Sequence, residues 1–115
     1  CDVVPEEGTL TIASSTADAV VGARYIQEST PERIEVKRAV LRSIQEACEA
    51  EAIVASSTSG FMPSELQDGS LRPEQIIVSH PYNPVYLLPL VEVILINLKL
   101  QKNTTRPLMT PLILK

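Results

Sequence analysis

The stretch Ile76 to Val93, IIVSHPYNPVYLLPLVEV, decides how the chain is read. Ile76, Ile77 and Val78 are apolar and β-branched, the signature of a short buried strand. Pro81 biases His80 towards extended backbone, and Pro84 does the same to Asn83. Neither proline can donate to a sheet ladder, so the strand is predicted to stop here. His80 and Asn83 then stand at the carboxyl end of a strand, where open α/β sheets present the residues that touch ligands.

His80 is the sole histidine of the chain. Taken alone it reads first as a surface loop residue with no chemical duty. Glu92 changes that reading, because Leu87 to Ile94 is otherwise apolar. A carboxylate within a buried strand is costly unless it has a partner, and an imidazole both donates and titrates near neutrality. A histidine held by a glutamate is a general acid–base pair, the carboxylate fixing the tautomer and stabilising the imidazolium.

Outward from this stretch, strands and helices alternate. Thr9 to Ala13 is short and rich in β-branched residues and is predicted to be a strand. Ser14, Ser15 and Thr16 can cap a short helix that ends by Gly22, with Asp18 near its start. Ala23 to Glu28 reads as the next strand. Pro31 opens a long helix to about Ala50, with Glu32 at the positive end of its dipole. Val36, Val40, Ile44, Ala47 and Cys48 make its apolar face, with Glu35, Arg38, Arg42, Gln45 and Glu49 on the solvated one. Ala52 to Gly60 is a buried strand running into a small-residue turn, and Pro63 begins a short helix over Met62 to Leu66. Alternation of this kind indicates an α/β fold with a mostly parallel sheet.

Composition excludes several function classes. The 115 residues fit one small domain with an aliphatic core, there being three Tyr, one Phe and no Trp. A formal charge of −4 argues against nucleic acid, which needs a basic footprint. Cys1 and Cys48 give neither a disulfide framework nor metal-ligand spacing and fit a reducing cytoplasm, with Cys48 a buried thiol and no metal expected. Residues 1–8 are acidic and show no signal-peptide hydrophobic region. The most apolar stretch, Val85 to Leu100, is broken by Pro89, Glu92, Asn97 and Lys99, so no membrane span is expected.

HPYNPVYLLPLVEV, SSTSG and QESTPER, in this order and spacing, resemble the 3-hydroxyacyl-CoA dehydrogenase superfamily, most nearly its carnitine 3-dehydrogenase branch. The likeness runs from about Gly8 to Val93. It implies a Rossmann-type sheet with flanking helices, NAD as cofactor, and oxidation of the 3-hydroxyl of L-carnitine to 3-dehydrocarnitine. By the same likeness His80 is the catalytic acid–base and Glu92 its partner. Ser59 would hydrogen-bond the reacting oxygen beside the nicotinamide, and Asn83 would contact cofactor and substrate. Glu32 and Lys37 would lie near the nicotinamide half of NAD, although Lys37 reads equally well as a solvated helix lysine. A quaternary ammonium substrate needs aromatic faces, and Tyr82 and Tyr86 are the candidates, with packing under the loop the alternative for Tyr82. Ser57 stands where the commoner turn has asparagine, which points away from the acyl-CoA enzymes. The likeness further implies a homodimer for the full-length protein.

The four glycines, Gly8, Gly22, Gly60 and Gly69, cannot spell the G-x-G-x-x-G turn that cradles a pyrophosphate. The chain is therefore expected to be an incomplete domain, without the N-terminal Gly-rich βαβ half and the C-terminal helical domain. Residues 1–95 would form the partial NAD-binding domain and 96–115 a divergent or disordered tail. The rival readings are a 3-hydroxyacyl-CoA dehydrogenase and a non-catalytic α/β module that only packs against a partner. Without the phosphate cradle, isothermal titration of the 115-residue chain with NAD is expected to show little or no saturable heat; tight binding would overturn the half-domain reading.

Overall fold

The computed structural model describes residues 9–96 and the backbone of Met109–Leu114. The lead-in of residues 1–8 and most of the expected tail lie outside them. Ser15 caps helix α1 (Thr16–Val20), its hydroxyl accepting from Asp18 N at 3.1 Å. Strand β1 (Tyr25–Glu28) leads to helix α2 (Ile34–Ala47) and strand β2 (Ile53–Ser56). Helix α3 (Pro63–Gln67) has Pro63 in its first turn and a Glu65 carboxylate that accepts from Met62 N at 2.8 Å. A 3-10 turn (Pro73–Gln75) then delivers the chain to β3 (Ile76–Pro81), followed by β4 (Val91–Ile96) and β5 (Met109–Leu114).

The five strands form one sheet in chain order. β1, β2 and β3 are parallel, joined through α2 and α3, while β4 and β5 add antiparallel to one side. This is the Rossmann-type α/β arrangement that the alternation predicts, with β5 falling inside the segment expected to be a tail. No described helix is long and apolar enough to cross a membrane.

Register places the core. Ile26, Val54 and Ile76 stand in one row across the sheet; Glu28, Ser56, Val78 and Ile94 form the next, and His80 faces Glu92 beyond it. Side chains alternate along a strand, so all of these share the face on which α2 and α3 lie. Leu41, Ile44 and Leu66 pack there against Ile26, Val54, Ile76 and Val78. Each such side chain contributes roughly 1.5–3 kcal/mol on burial. The opposite face, with Tyr25, Ile53, Ile77, Val91 and Val93, has no helix over it among the described residues.

Three expectations are corrected. Thr9 to Ala13 is not a strand; Leu10 and Ile12 are exposed and no described strand pairs with the outer edge of β1. β propensity without a ladder partner does not make a strand. Helix α2 is shorter at both ends than Pro31 to Ala50. At its start Thr30 and Glu32 are engaged by Glu28 and Thr58, and at its end Gln75 Nε2 donates to the carbonyls of Glu49, Ala50 and Ala52. Gln45, assigned to the solvated face, is buried. Its amide closes on the Leu71–Arg72 backbone, donating to Arg72 O at 2.7 Å and accepting from Leu71 N at 3.0 Å.

In urea unfolding, Leu41→Ala is expected to cost about 2–5 kcal/mol. Ile12→Ala, on the exposed segment, is expected to stay within about 0.5 kcal/mol of the parent.

Candidate functional site

The carboxyl ends of β2 and β3 open on a cavity of about 210 Å³. Ser59, Gly60, Phe61 and Met62 of the turn after β2 line one side; Val78, His80 and Tyr82 line the floor, and Glu92 and Ile94 of β4 close it. β2 ends at Ser56, level with Val78, so the turn that follows it lies beside His80 on the part of β3 that runs on past it, and the antiparallel return of β4 brings Glu92 opposite His80. Tyr82 meets the imidazole edge-on, with ring centroids 5.7 Å apart and an interplanar angle of 70°. No hydrogen bond joins His80 to Glu92 among the described residues; in unliganded enzymes such bonds often tighten only with substrate in place.

Ser59, His80 and Glu92 are thus brought together, as the sequence predicts. Asn83 is exposed on the loop beyond Pro81 and does not line the cavity. Tyr82 does line it, at 40% exposure, but Tyr86 is 82% exposed and stands outside. Of the two tyrosines, Tyr82 alone lines the cavity, because the loop turns Tyr86 to solvent. Phe61 and Met62, not anticipated, supply the remaining apolar lining.

Behind the cavity lies a charged cluster that the sequence reading largely missed. Lys37, read as solvated or as a cofactor contact, is only 1% exposed. Its ammonium donates to both carboxylate oxygens of Glu28, at 3.1 and 3.2 Å, and to Thr30 O at 3.0 Å. Glu32 Oε2 is 3.5 Å away. Glu28, 2% exposed, also accepts from the Thr30 amide and hydroxyl and from Ser56 Oγ, each at 2.5 Å. Glu32 in turn accepts from Thr58 Oγ1 and, at 2.9 Å, from Gly60 N. A Cβ on Gly60 would sit 3.3 Å from that carboxylate, so glycine leaves Glu32 its place. The available signal was periodicity: Glu28 falls two residues after Ile26, on the core side of β1. That is the same anomaly that singled out Glu92.

Burial pushes the Glu28 carboxyl up, but the hydrogen bonds from Ser56, Thr30 and Lys37 outweigh it and hold it below its ordinary value of 4.5. For Glu32 the smaller desolvation is likewise outweighed by Thr58, by Gly60 N and by the Lys37 charge.

The parallel strands and the site at their carboxyl ends define half of a dinucleotide-binding sheet. The chain belongs to the 3-hydroxyacyl-CoA dehydrogenase, NAD binding domain family, which matches residues 5–107. It is 60% identical over 91 residues to the L-carnitine dehydrogenase/betainyl-CoA thioesterase of Ruegeria pomeroyi, covering 79% of this chain and 19% of that protein. It is 56% identical over 85 residues to the L-carnitine dehydrogenase of Bacillus cereus, covering 74% and 26%. Among solved structures, an NAD+ dependent 5-formyl-3-hydroxy-2-methylpyridine 4-carboxylic acid 5-dehydrogenase superposes with a TM-score of 0.70 at 36% identity. That superposition covers 77% of this chain and 29% of that one. The chain thus spans about a fifth to a quarter of the two curated relatives' lengths.

Both depressed carboxyls contribute stability that is complete above 4.5 and lost as pH falls through their folded values. Melting temperature is therefore expected to drop on acidification below 4.5, and less steeply in Glu28→Gln.

Proposed function

We propose that this chain supplies the proton-transfer side of an NAD-dependent dehydrogenase that oxidises the 3-hydroxyl of L-carnitine to 3-dehydrocarnitine. The observation that carries the reading is the convergence of Ser59, His80 and Glu92 on one cavity at the sheet's carboxyl edge. Likeness to relatives named L-carnitine dehydrogenase points to the substrate.

The residues present suit the nicotinamide end of the cofactor. Ser59 is exposed at the cavity beside Gly60, which leaves room for the Glu32 carboxylate, whereas a glycine-rich phosphate cradle cannot be written from this sequence. When bound, NAD supplies the acceptor for the hydride that leaves the substrate's hydroxyl-bearing carbon. Ser59, Asn83 and Glu32 would hold that end. Lys37, its ammonium enclosed by Glu28, Thr30 and Glu32, would act on it through Glu32. His80 takes the hydroxyl proton, and Glu92 stabilises the imidazolium that results. Ser59 donates to the oxygen as it becomes a carbonyl, without adding net charge. Tyr82 and Phe61 offer aromatic faces to a quaternary ammonium. A cytoplasmic setting suits the free, buried thiol of Cys48.

The family description favours a second reading, oxidation of a 3-hydroxyacyl-CoA. One experiment separates them. Residues 9–96 are exchanged for the matching segment of the Ruegeria enzyme, and turnover is measured with carnitine and, in the reverse direction, acetoacetyl-CoA. Carnitine oxidation is expected to survive the exchange, and His80→Gln to lower kcat roughly 10²–10⁴-fold. Tyr82→Leu is expected to raise KM for carnitine, and Tyr86→Leu to leave it unchanged. Full activity in His80→Gln would end the proposal; turnover of acetoacetyl-CoA alone would favour the second reading.

A further inference from the structure

Glu28 has no part in the chemistry above, yet it is the most completely engaged carboxylate among the described residues. Its partners are not random neighbours. Ser56 ends β2, and its hydroxyl, donating to Glu28 Oε2, accepts from Thr58 N at 3.3 Å. Lys37, paired with Glu28, also reaches Glu32. Glu32 then holds Thr58 Oγ1 and Gly60 N, the residues on either side of Ser59. Two routes therefore run from one buried carboxylate to the same turn, one through Ser56 and one through Lys37 and Glu32. Ser59 itself is exposed at the tip.

We infer that Glu28 is a positioning residue that sets the Ser57–Gly60 turn, acting through Ser56 and through the ammonium of Lys37 that it shares with Glu32. With Glu28 charged, Lys37 is divided between two carboxylates and the β1, α2 and β2 ends are locked together. With Glu28 neutral, the ammonium has one full counter-charge left, Glu32, and the turn moves with it. The catalytic value of this placement rests on Ser59 acting as proposed; the coupling does not.

The test is an NMR titration of the full 115-residue chain, following the Gly60 amide, which reports the ionisation of Glu32 through its hydrogen bond. In Glu28→Gln the Gly60 midpoint is expected to move to lower pH, because Glu32 gains the whole ammonium and loses a like charge. In Glu28→Gln/Lys37→Met, which leaves no unpaired buried charge and so keeps the experiment open should the single variant not fold, it is expected to move to higher pH. Hydrogen exchange supplies the second measurement. The ratio of the Thr58 rate to that of Val54, inside β2, is expected to rise roughly tenfold in Glu28→Gln, as loss of a charge-assisted anchor implies. Midpoints unchanged in both variants, with Thr58 and Val54 exchanging faster in step, would reduce Glu28 to a general structural anchor and overturn the inference. Neither cofactor nor substrate enters these measurements, so that result would leave the proposed dehydrogenase activity standing.

Discussion

An ammonium ion taken out of water loses several kcal/mol of hydration even after the protein relaxes around it. Lys37 stays buried only because two carboxylates and a backbone carbonyl replace that shell. Those acceptors come from the end of β1 and from the turn into α2, while Glu28 and Glu32 reach on to the end of β2 and its turn. The requirement to neutralise one cation thus ties together the ends of β1 and β2 and the start of α2. It also explains why α2 begins at Ile34: Thr30 and Glu32 are occupied before the helix can use them.

On the same sheet face the chemistry changes along each strand. The amino ends carry Ile26, Val54 and Ile76 against the helices, a dry aliphatic layer. One row further on, Glu28 and Ser56 introduce the charged cluster; a row beyond that, His80 and Glu92 reach the open cavity. The gradient from apolar to buried ionic to half-exposed titratable arises because β1 and β2 end level with Val78 while β3 runs on past them to Pro81. It also lays a rigid support directly beneath the groups to which the proposed function gives proton transfer.

Much of this was legible in the sequence. The strand at Ile76, the helix opened by Pro63, the cap at Ser15 and the meeting of Ser59, His80 and Glu92 follow from local rules and quoted motifs. The misses share one cause, that pattern reading classifies a residue by polarity and not by where its partners lie. Gln45 and Lys37 look solvated because their satisfying groups, the Leu71–Arg72 backbone and Glu28, come from other elements. Leu10 and Ile12 look like strand because nothing in TLTIA says whether a neighbour pairs with it. Tyr86 looks like a pocket residue because spacing along a loop does not reveal which way the loop turns.

The His80–Glu92 pairing is set by ladder register, with Val78 facing Ile94 below and Pro81 facing Val91 above. The intervening excursion is closed at its base by Tyr82 N donating to Leu90 O at 3.0 Å. Residues 83–89 can therefore gain or lose length, or trade side chains, without shifting the two groups below. A single insertion within β4, by contrast, would send the carboxylate to the far side of the sheet. The architecture separates a part free to diversify from a part that is not, so the loop can change without disturbing the facing of His80 and Glu92.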